Sequence, residues 1–318
     1  MARRSPAKVI GSRLLQALPV ILLATFMVFS LLKLVPGDIA VTLAGDNASD
    51  IRIAEIKRIY GLDRPFMVQY GAWLGKAVQG DLSQSLLSGE KVADSIARAF
   101  PNTLLIVAIA LMLALATGIP MGIVAAIKPN GWVDKIVSMV ASLGVAIPVF
   151  WLAMILVAEI SLKLNWLPAT GAKSFAVSPW DAIRHALLPA IAIAAYGMAE
   201  VARQLRGSLL EVLSSQYVRT LHAKGLSMSR ILWQHGLKNV SVNLFTIISL
   251  LVNRMLAATV VVEAVFAIPG LGSLIVRGAI QRDFPIVQGV VFAMVIVVIL
   301  VNLIADLLCA AVDPRIEQ

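Results

Sequence analysis

Six long apolar stretches, 14–35, 102–127, 136–162, 187–205, 240–262 and 286–310, alternate with polar connections along the chain. Each is close to or above the roughly 20 residues that a helix needs to cross a bilayer core. The pattern predicts an all-α membrane protein with six transmembrane helices. Arg3, Arg4, Lys8 and Arg13 precede the first stretch, as in a secretory signal. Its apolar run, however, exceeds the usual signal core of about 7–15 residues, and no small-x-small cleavage site follows cleanly. It is expected to stay as a signal-anchor helix.

This divides the chain into residues 1–35, an N-terminal tail with the first span; 36–100, an extracytoplasmic loop; and 101–318, a five-helix core containing a cytoplasmic segment, 214–239. Lysine and arginine in short connections set the orientation. One side carries the four N-terminal residues, Lys128, Lys135, Arg203, Arg206, Arg219, Lys224, Arg230 and Lys238. The short loops of the other side carry only Lys163, Lys173, Arg184, Arg277 and Arg282, the long loop 36–100 being uninformative because loops of that length translocate regardless of charge. Both termini and the 217–239 segment are therefore expected in the cytoplasm. In the long loop, Phe66, Tyr70, Trp73 and Ala77 share one helical stripe, and Val92, Ile96 and Phe100 another. These read as short amphipathic helices that either pack within the protein or meet an extracytoplasmic partner.

Prolines interrupt the spans: Pro120 is expected to break the second, Pro148 the third, and Pro189 to open the fourth. A proline removes one ladder bond, which a membrane helix tolerates where neighbours satisfy the freed carbonyl. "IPGLG" at 268–272, after Glu263, reads as a tight outer loop.

Composition agrees. Only 14% of residues are charged, against about a quarter in soluble domains. The net charge of +9 would suggest nucleic acid only if it gathered on a soluble domain, and here it falls between apolar runs. The single cysteine, Cys309, excludes an intrachain disulfide framework. No G-x-x-x-x-G-K-[ST] phosphate loop and no H-E-x-x-H occur. His185, His222 and His235 are spread over both sides of the membrane, which argues against a metal site.

Ionisable residues at membrane depth usually face a protein interior or water. Lys33 is near enough to a span end to snorkel, and Glu159 lies near the outer edge. Glu200 and Arg203 are three apart on one helix face and predict an intrahelical pair. Asp306 is expected in contacts between helices or subunits. Arg254 lies about 12 Å from the outer end of the fifth span by helical rise. It either pairs with an acid from another helix or faces a path and attracts anionic groups.

"YVRTLHAKGLSMSRILWQHGLKN", residues 217–239, is polar and basic between two apolar stretches. Tyr217 to Lys224 can form a short helix, with Ser214 or Ser215 available as an N-cap. Gly225 supplies the turn that ends it. A second helix is expected from near Ser227 through Ile231, Leu232 and His235 into the fifth span. The segment is either a generic basic loop drawn to anionic lipid or a docking helix for a cytoplasmic partner.

That stretch resembles the coupling loop of the dipeptide/oligopeptide/nickel permease family of ABC importers, the family's version of the "EAA" loop, with Gly225 at the motif glycine. "GDLSQS" (80–85), "NWLPATG" (165–171), "HALLPAIAIA" (185–194), "ARQLRGSLLEVL" (202–213), "VVEAVFAIPGLGSLI" (261–275), "RDFPIVQG" (282–289) and "NLIADLLCAAVDPRI" (302–316) follow the family in the same order. The departures are Leu221 in place of a small residue, Gly236 in place of alanine, no proline soon after Asn239, Ser83 in place of a glycine, and Asn253 and Arg254 where the family is small and apolar.

The resemblance implies a type I ABC importer permease fold in a bacterial or archaeal inner membrane. It implies a second homologous permease sharing one translocation path, two ATPase subunits that bind ATP and Mg, and an extracytoplasmic substrate-binding protein. This chain itself would hold no cofactor and be no enzyme. Tyr217, Val218, Arg219, Thr220, Leu221, Ala223, Lys224 and Gly225 would couple to an ATPase. Val218 and Leu221 would anchor in its groove, and Arg219 and Lys224 would pair with acids at the rim. Arg254, Asn253 and Glu200 are candidates for the path. Peptides lead the cargo classes, ahead of nickel chelates, glutathione-like compounds and sugars. The competing reading is a stand-alone ion-driven transporter, which predicts inverted repeats and a buried acid relay; neither is visible in the sequence.

Overall fold

The computed structural model describes residues 6–34, 40–41, 49–59 and 61–312. Arg3, Arg4, residues 313–318 and the side chains of Lys8 and Lys33 lie outside the described residues. In chain order the helices are α1 (Pro6–Leu34), α2 (Asp50–Ile59), α3 (Phe66–Val78), α4 (Val92–Ile127), α5 (Trp132–Ala146), α6 (Val149–Leu156), α7 (Pro179–Leu213), α8 (Gln216–Ala223), α9 (Met228–Ile231), α10 (Leu237–Val265), α11 (Leu271–Ile280) and α12 (Phe284–Val312). A wide turn, Val157–Lys163, extends α6, and another, Leu232–Gly236, joins α9 to α10. Among the described residues no β-strand occurs, only an isolated bridge between Gln84 and Lys91.

By length and composition, α4, α7, the run Met228–Val265 and Phe284–Cys309 are each apolar and long enough to cross a membrane. The expected third span is two helices, Trp132–Ala146 and Val149–Lys163, bent by 95°. The cause is local. Ile147 precedes a proline and takes an extended conformation, φ −76° and ψ 122°, because the proline ring disfavours the helical region for the residue before it. Pro120 behaves differently: α4 runs without interruption from Val92 to Ile127, so the expected break is absent. The amphipathic stretch with Val92, Ile96 and Phe100 is the first part of that helix rather than a separate element. Pro189 likewise sits inside α7, which starts ten residues earlier at Pro179. Proline suits that first position because its missing N–H has no partner there anyway.

Two compact units make up the chain. One comprises residues 1–11, 102–269 and 300–318. Its centre is α7, whose small residues let neighbouring helices approach closely, as membrane helices do when no hydrophobic driving force separates them from lipid. A Cβ added at Gly118 would stand 2.8 Å from the Met198 carbonyl oxygen, and one at Gly144 would stand 2.9 Å from that of Ala195. At Gly122 it would meet the Ala202 oxygen at 2.9 Å and Leu205 Cβ at 3.1 Å. Backbone cannot move aside as a flexible side chain can. Gly122→Leu is therefore expected to destabilise the detergent-solubilised protein by about 2 kcal/mol through overpacking. An unchanged melting temperature would show that α4 and α7 are not packed this tightly. The C-terminal parts of α4 and α7 bury Ile123, Ala126, Leu205 and Leu209 with Leu232 and Val240.

The other unit comprises residues 12–101 and 270–299. Phe26 and Phe29 meet Phe66 and Tyr70 edge-on, and Trp73 meets Phe292 edge-on. Tyr70 donates its hydroxyl hydrogen to the Leu22 carbonyl at 3.1 Å. The stripe Phe66, Tyr70, Trp73 and Ala77 thus packs inside the protein, with Trp73 and Ala77 buried. Val92 is also buried, against Leu271, Ile286 and Val290, with Ile96 and Phe100 beside them. Ser85 donates to the Asp283 carboxylate, and Asp283 also accepts from the Leu86 amide at 3.1 Å. Glu90 accepts from Ser95 at 3.0 Å and Arg98 at 2.6 Å. The Arg98 bond, with that from Ser95, holds the Glu90 carboxyl below its ordinary range.

Candidate functional site

The polar segment after α7 forms the helix that its sequence predicts, over Gln216–Ala223. Neither serine before it caps it by side chain. Ser214 Oγ donates to the Glu211 carbonyl at 3.0 Å and Ser215 Oγ to that of Val212 at 2.7 Å, so both close α7. At the other end, Gly225 has φ +81°. Its amide donates to the His222 carbonyl at 2.9 Å, and the Leu226 amide donates to Leu221 at 3.2 Å. These two bonds are the Schellman closure, which needs the left-handed residue that glycine supplies without Cβ strain. Ser227 caps α9, its Oγ accepting from the Arg230 amide at 3.4 Å.

Of the residues expected to couple to an ATPase, Arg219, Thr220, Ala223, Lys224 and Gly225 are exposed and Leu221 is half-buried. Val218 departs from expectation. It is only 2% exposed, so it anchors α8 to this chain and has no surface left for a partner's groove. Tyr217 is exposed, and its hydroxyl lies 2.9 Å from His235 Nδ1, with the rings edge to face. Thr220 Oγ1 donates back to the Gln216 carbonyl at 3.1 Å. The outer face of α8 thus carries Arg219 and Lys224, held by Val218 beneath and by Tyr217 to the base of the helix that leads into α10.

Two of the three candidate path residues, Glu200 and Arg254, also come together. Glu200 on α7 accepts from Arg203, the intrahelical pair that their spacing predicts. Arg254 on α10 places Nη1 3.9 Å from Glu200 Oε1 and donates to the Tyr196 hydroxyl. Its guanidinium carbon lies 5.7 Å from the Tyr196 ring centroid. Arg254 therefore does meet an acid from another helix, yet its side chain stays 57% exposed. Asn253 points elsewhere. Its Nδ2 donates to Asn302 Oδ1 at 3.0 Å, which also accepts from Ser249 Oγ at 2.7 Å.

Sequence reasoning missed three partners here. Tyr196 and Asn302 lie far from Arg254 and Asn253 along the chain, and only packing brings them together. The third case is Asp134 on α5, which accepts from Arg206 Nε at 2.5 Å and Nη2 at 2.7 Å. It also accepts from the Asn130 amide at 2.8 Å. Both residues are visible as charges flanking apolar runs, but nothing local couples positions 72 residues apart. Between α4 and the C-terminal end of α10, Thr103 donates to the fully buried Glu263 at 2.6 Å, and Asn102 donates to the Pro269 carbonyl at 2.9 Å.

Residues 118–318 match the family described as binding-protein-dependent transport system inner membrane component, and residues 7–110 match that family's N-terminal part. The oligopeptide transport system permease protein AppB of Bacillus subtilis is 37% identical over 308 residues, covering 96% of this chain and 98% of AppB. The dipeptide transport system permease protein DppB of Alkalihalophilus pseudofirmus is 34% identical, with 96% and 98% covered. The glutathione transport system permease protein GsiC of Escherichia coli O6:H1 is 36% identical, with 96% and 97% covered. Among solved structures, an inward-facing MetNI methionine ABC transporter has a chain of similar fold, with TM-score 0.58 and 17% identity over 69% of this chain and 96% of that one. The chain, matched along nearly its whole length, belongs to the family of binding-protein-dependent transport system inner membrane components.

Proposed function

We propose that this chain is the permease subunit of an ATP-driven importer of peptides, coupled to its motor through α8. Six helices would cross a bacterial or archaeal inner membrane, with α1 and the bent α5–α6 pair each counting as one span and both termini in the cytoplasm. A second, homologous permease would complete the path, and a substrate-binding protein would deliver cargo from outside. Two ATPase subunits would bind ATP and Mg. The observation that carries this reading is α8 itself: a short helix standing between two long apolar ones, fixed to its own chain by Val218, with Arg219 and Lys224 left exposed. A helix tied at both ends to membrane helices transmits a push on its outer face to both.

Arg219 and Lys224 would pair with acids at the rim of an ATPase groove, while Leu221 and Ala223 would contribute its apolar contact. The names of the relatives AppB and DppB favour peptides as cargo. Gentle solubilisation and pull-down of the tagged chain tests the assembly. Two ATPase subunits and a second permease should copurify, and vesicles carrying the complex should take up peptide only with ATP and the binding protein. Uptake by this chain alone, driven by an ion gradient, would instead establish the stand-alone transporter.

A further inference from the structure

Glu200 serves two guanidiniums at once. Arg203 donates to its carboxylate, Gln204 Nε2 donates to Oε1 at 3.2 Å, and Arg254 stands 3.9 Å from that same oxygen. Two arginines against one carboxylate leave one positive charge in excess. Exposure is unequal as well. The Glu200 side chain is 13% exposed, whereas Arg203 and Arg254 are 55% and 57% exposed. The acid lies beneath and the bases face outward, each with N–H donors that a single carboxylate cannot occupy.

Arg254 lies deep in an apolar run, where a half-exposed guanidinium faces water or another protein rather than hydrocarbon. Tyr196 fixes its direction by a hydrogen bond and by its ring face. At 3.9 Å the Glu200–Arg254 contact is longer than a hydrogen bond, so an incoming carboxylate can take that guanidinium without first breaking one.

We propose that Arg254 and Arg203, held by Glu200 and Tyr196, form a carboxylate subsite in the translocation path that favours peptides with a free C-terminal carboxylate. This rests on the reading of the chain as a peptide permease. The guanidinium fork matches a carboxylate in two parallel bonds. Glu200 competes for the same donors and keeps the contact weak enough to release, as conduction requires.

Uptake of trialanine and of trialanine amide by the reconstituted importer tests this, with each peptide saturating the binding protein so that its selectivity drops out. The wild type should move the free acid about tenfold faster than the amide, as one charge-assisted contact allows. Arg254→Ala should bring the ratio close to one, and Arg254→Lys should restore part of the preference. Glu200→Gln should shift the ratio the other way, toward the acid, which general damage to packing cannot do. Equal loss of both peptides in Arg254→Ala, or an unshifted ratio in Glu200→Gln, would overturn the subsite and leave Arg254 a structural partner. A wild-type complex that hydrolyses ATP in response to its loaded binding protein but moves neither peptide would sink the peptide reading itself, and the subsite with it.

Discussion

Arg206→Ala is expected to cost the folded protein about 3–5 kcal/mol, the usual penalty for removing one partner of a buried ion pair. The Asp134 side chain is 4% exposed and that of Arg206 is 29% exposed. Without Arg206, Asp134 would keep only the Asn130 amide at 2.8 Å and a long contact from Ser138 at 3.4 Å. A carboxylate left in that state is either held at high cost or protonated. Arg206→Lys should recover only part of the loss, since an ammonium cannot reproduce the two parallel bonds. The pair joins the start of α5 to the last third of α7, about two turns before that helix ends and the chain leads into α8. Melting of the detergent-solubilised variant should fall steeply, and Asp134→Asn/Arg206→Met should recover much of the stability because neither charge then remains buried. A melting curve like that of the wild type for Arg206→Ala would show that the pair is not formed in solution.

Gly225→Asp should leave the chain inserted and assembled but cut uptake at least tenfold while ATP hydrolysis continues. A Cβ at Gly225 meets nothing within 4 Å, so crowding is not the cause. The backbone is: at φ +81° an L residue carries a penalty of about 1 kcal/mol or more, though aspartate suffers less than β-branched residues. That strain loads the closure that sets the direction of the chain between α8 and α9, and the new carboxylate stands beside Lys224, the exposed cation that follows α8. Gly225→Asn carries similar strain without the charge, so comparing the two separates backbone from electrostatics. Both variants should melt within about 1 kcal/mol of the wild type. Tight coupling in Gly225→Asp would mean that the turn does not carry force.

The helices and the turn were legible because their causes are local. Apolar runs of bilayer length, glycine after a short amphipathic stretch, and proline after Ile147 act within a few residues. The 95° bend at Ile147–Pro148 was visible as a break but not in size, since a proline gives the place and neighbours the angle. Pro120 shows the converse: a proline flanked by helix-compatible residues stays inside α4 when packing holds the turn on either side. Val218 was misplaced because an apolar residue on a basic helix looks the same whether it faces a partner or its own chain. The partners of Asp134, Arg254 and Asn253 were illegible for a different reason. Each lies tens of residues away in sequence, and without paired variation among relatives no periodicity links such positions.

An ATPase is expected to grip the exposed face of α8. Single cysteines at His222 and Ala223, both exposed, introduced into a Cys309→Ala background and treated with a short thiol crosslinker, test it directly. Each position should capture an ATP-hydrolysing subunit, and the bridge should block peptide uptake until it is reduced. Full uptake with no ATPase captured from either position would contradict it.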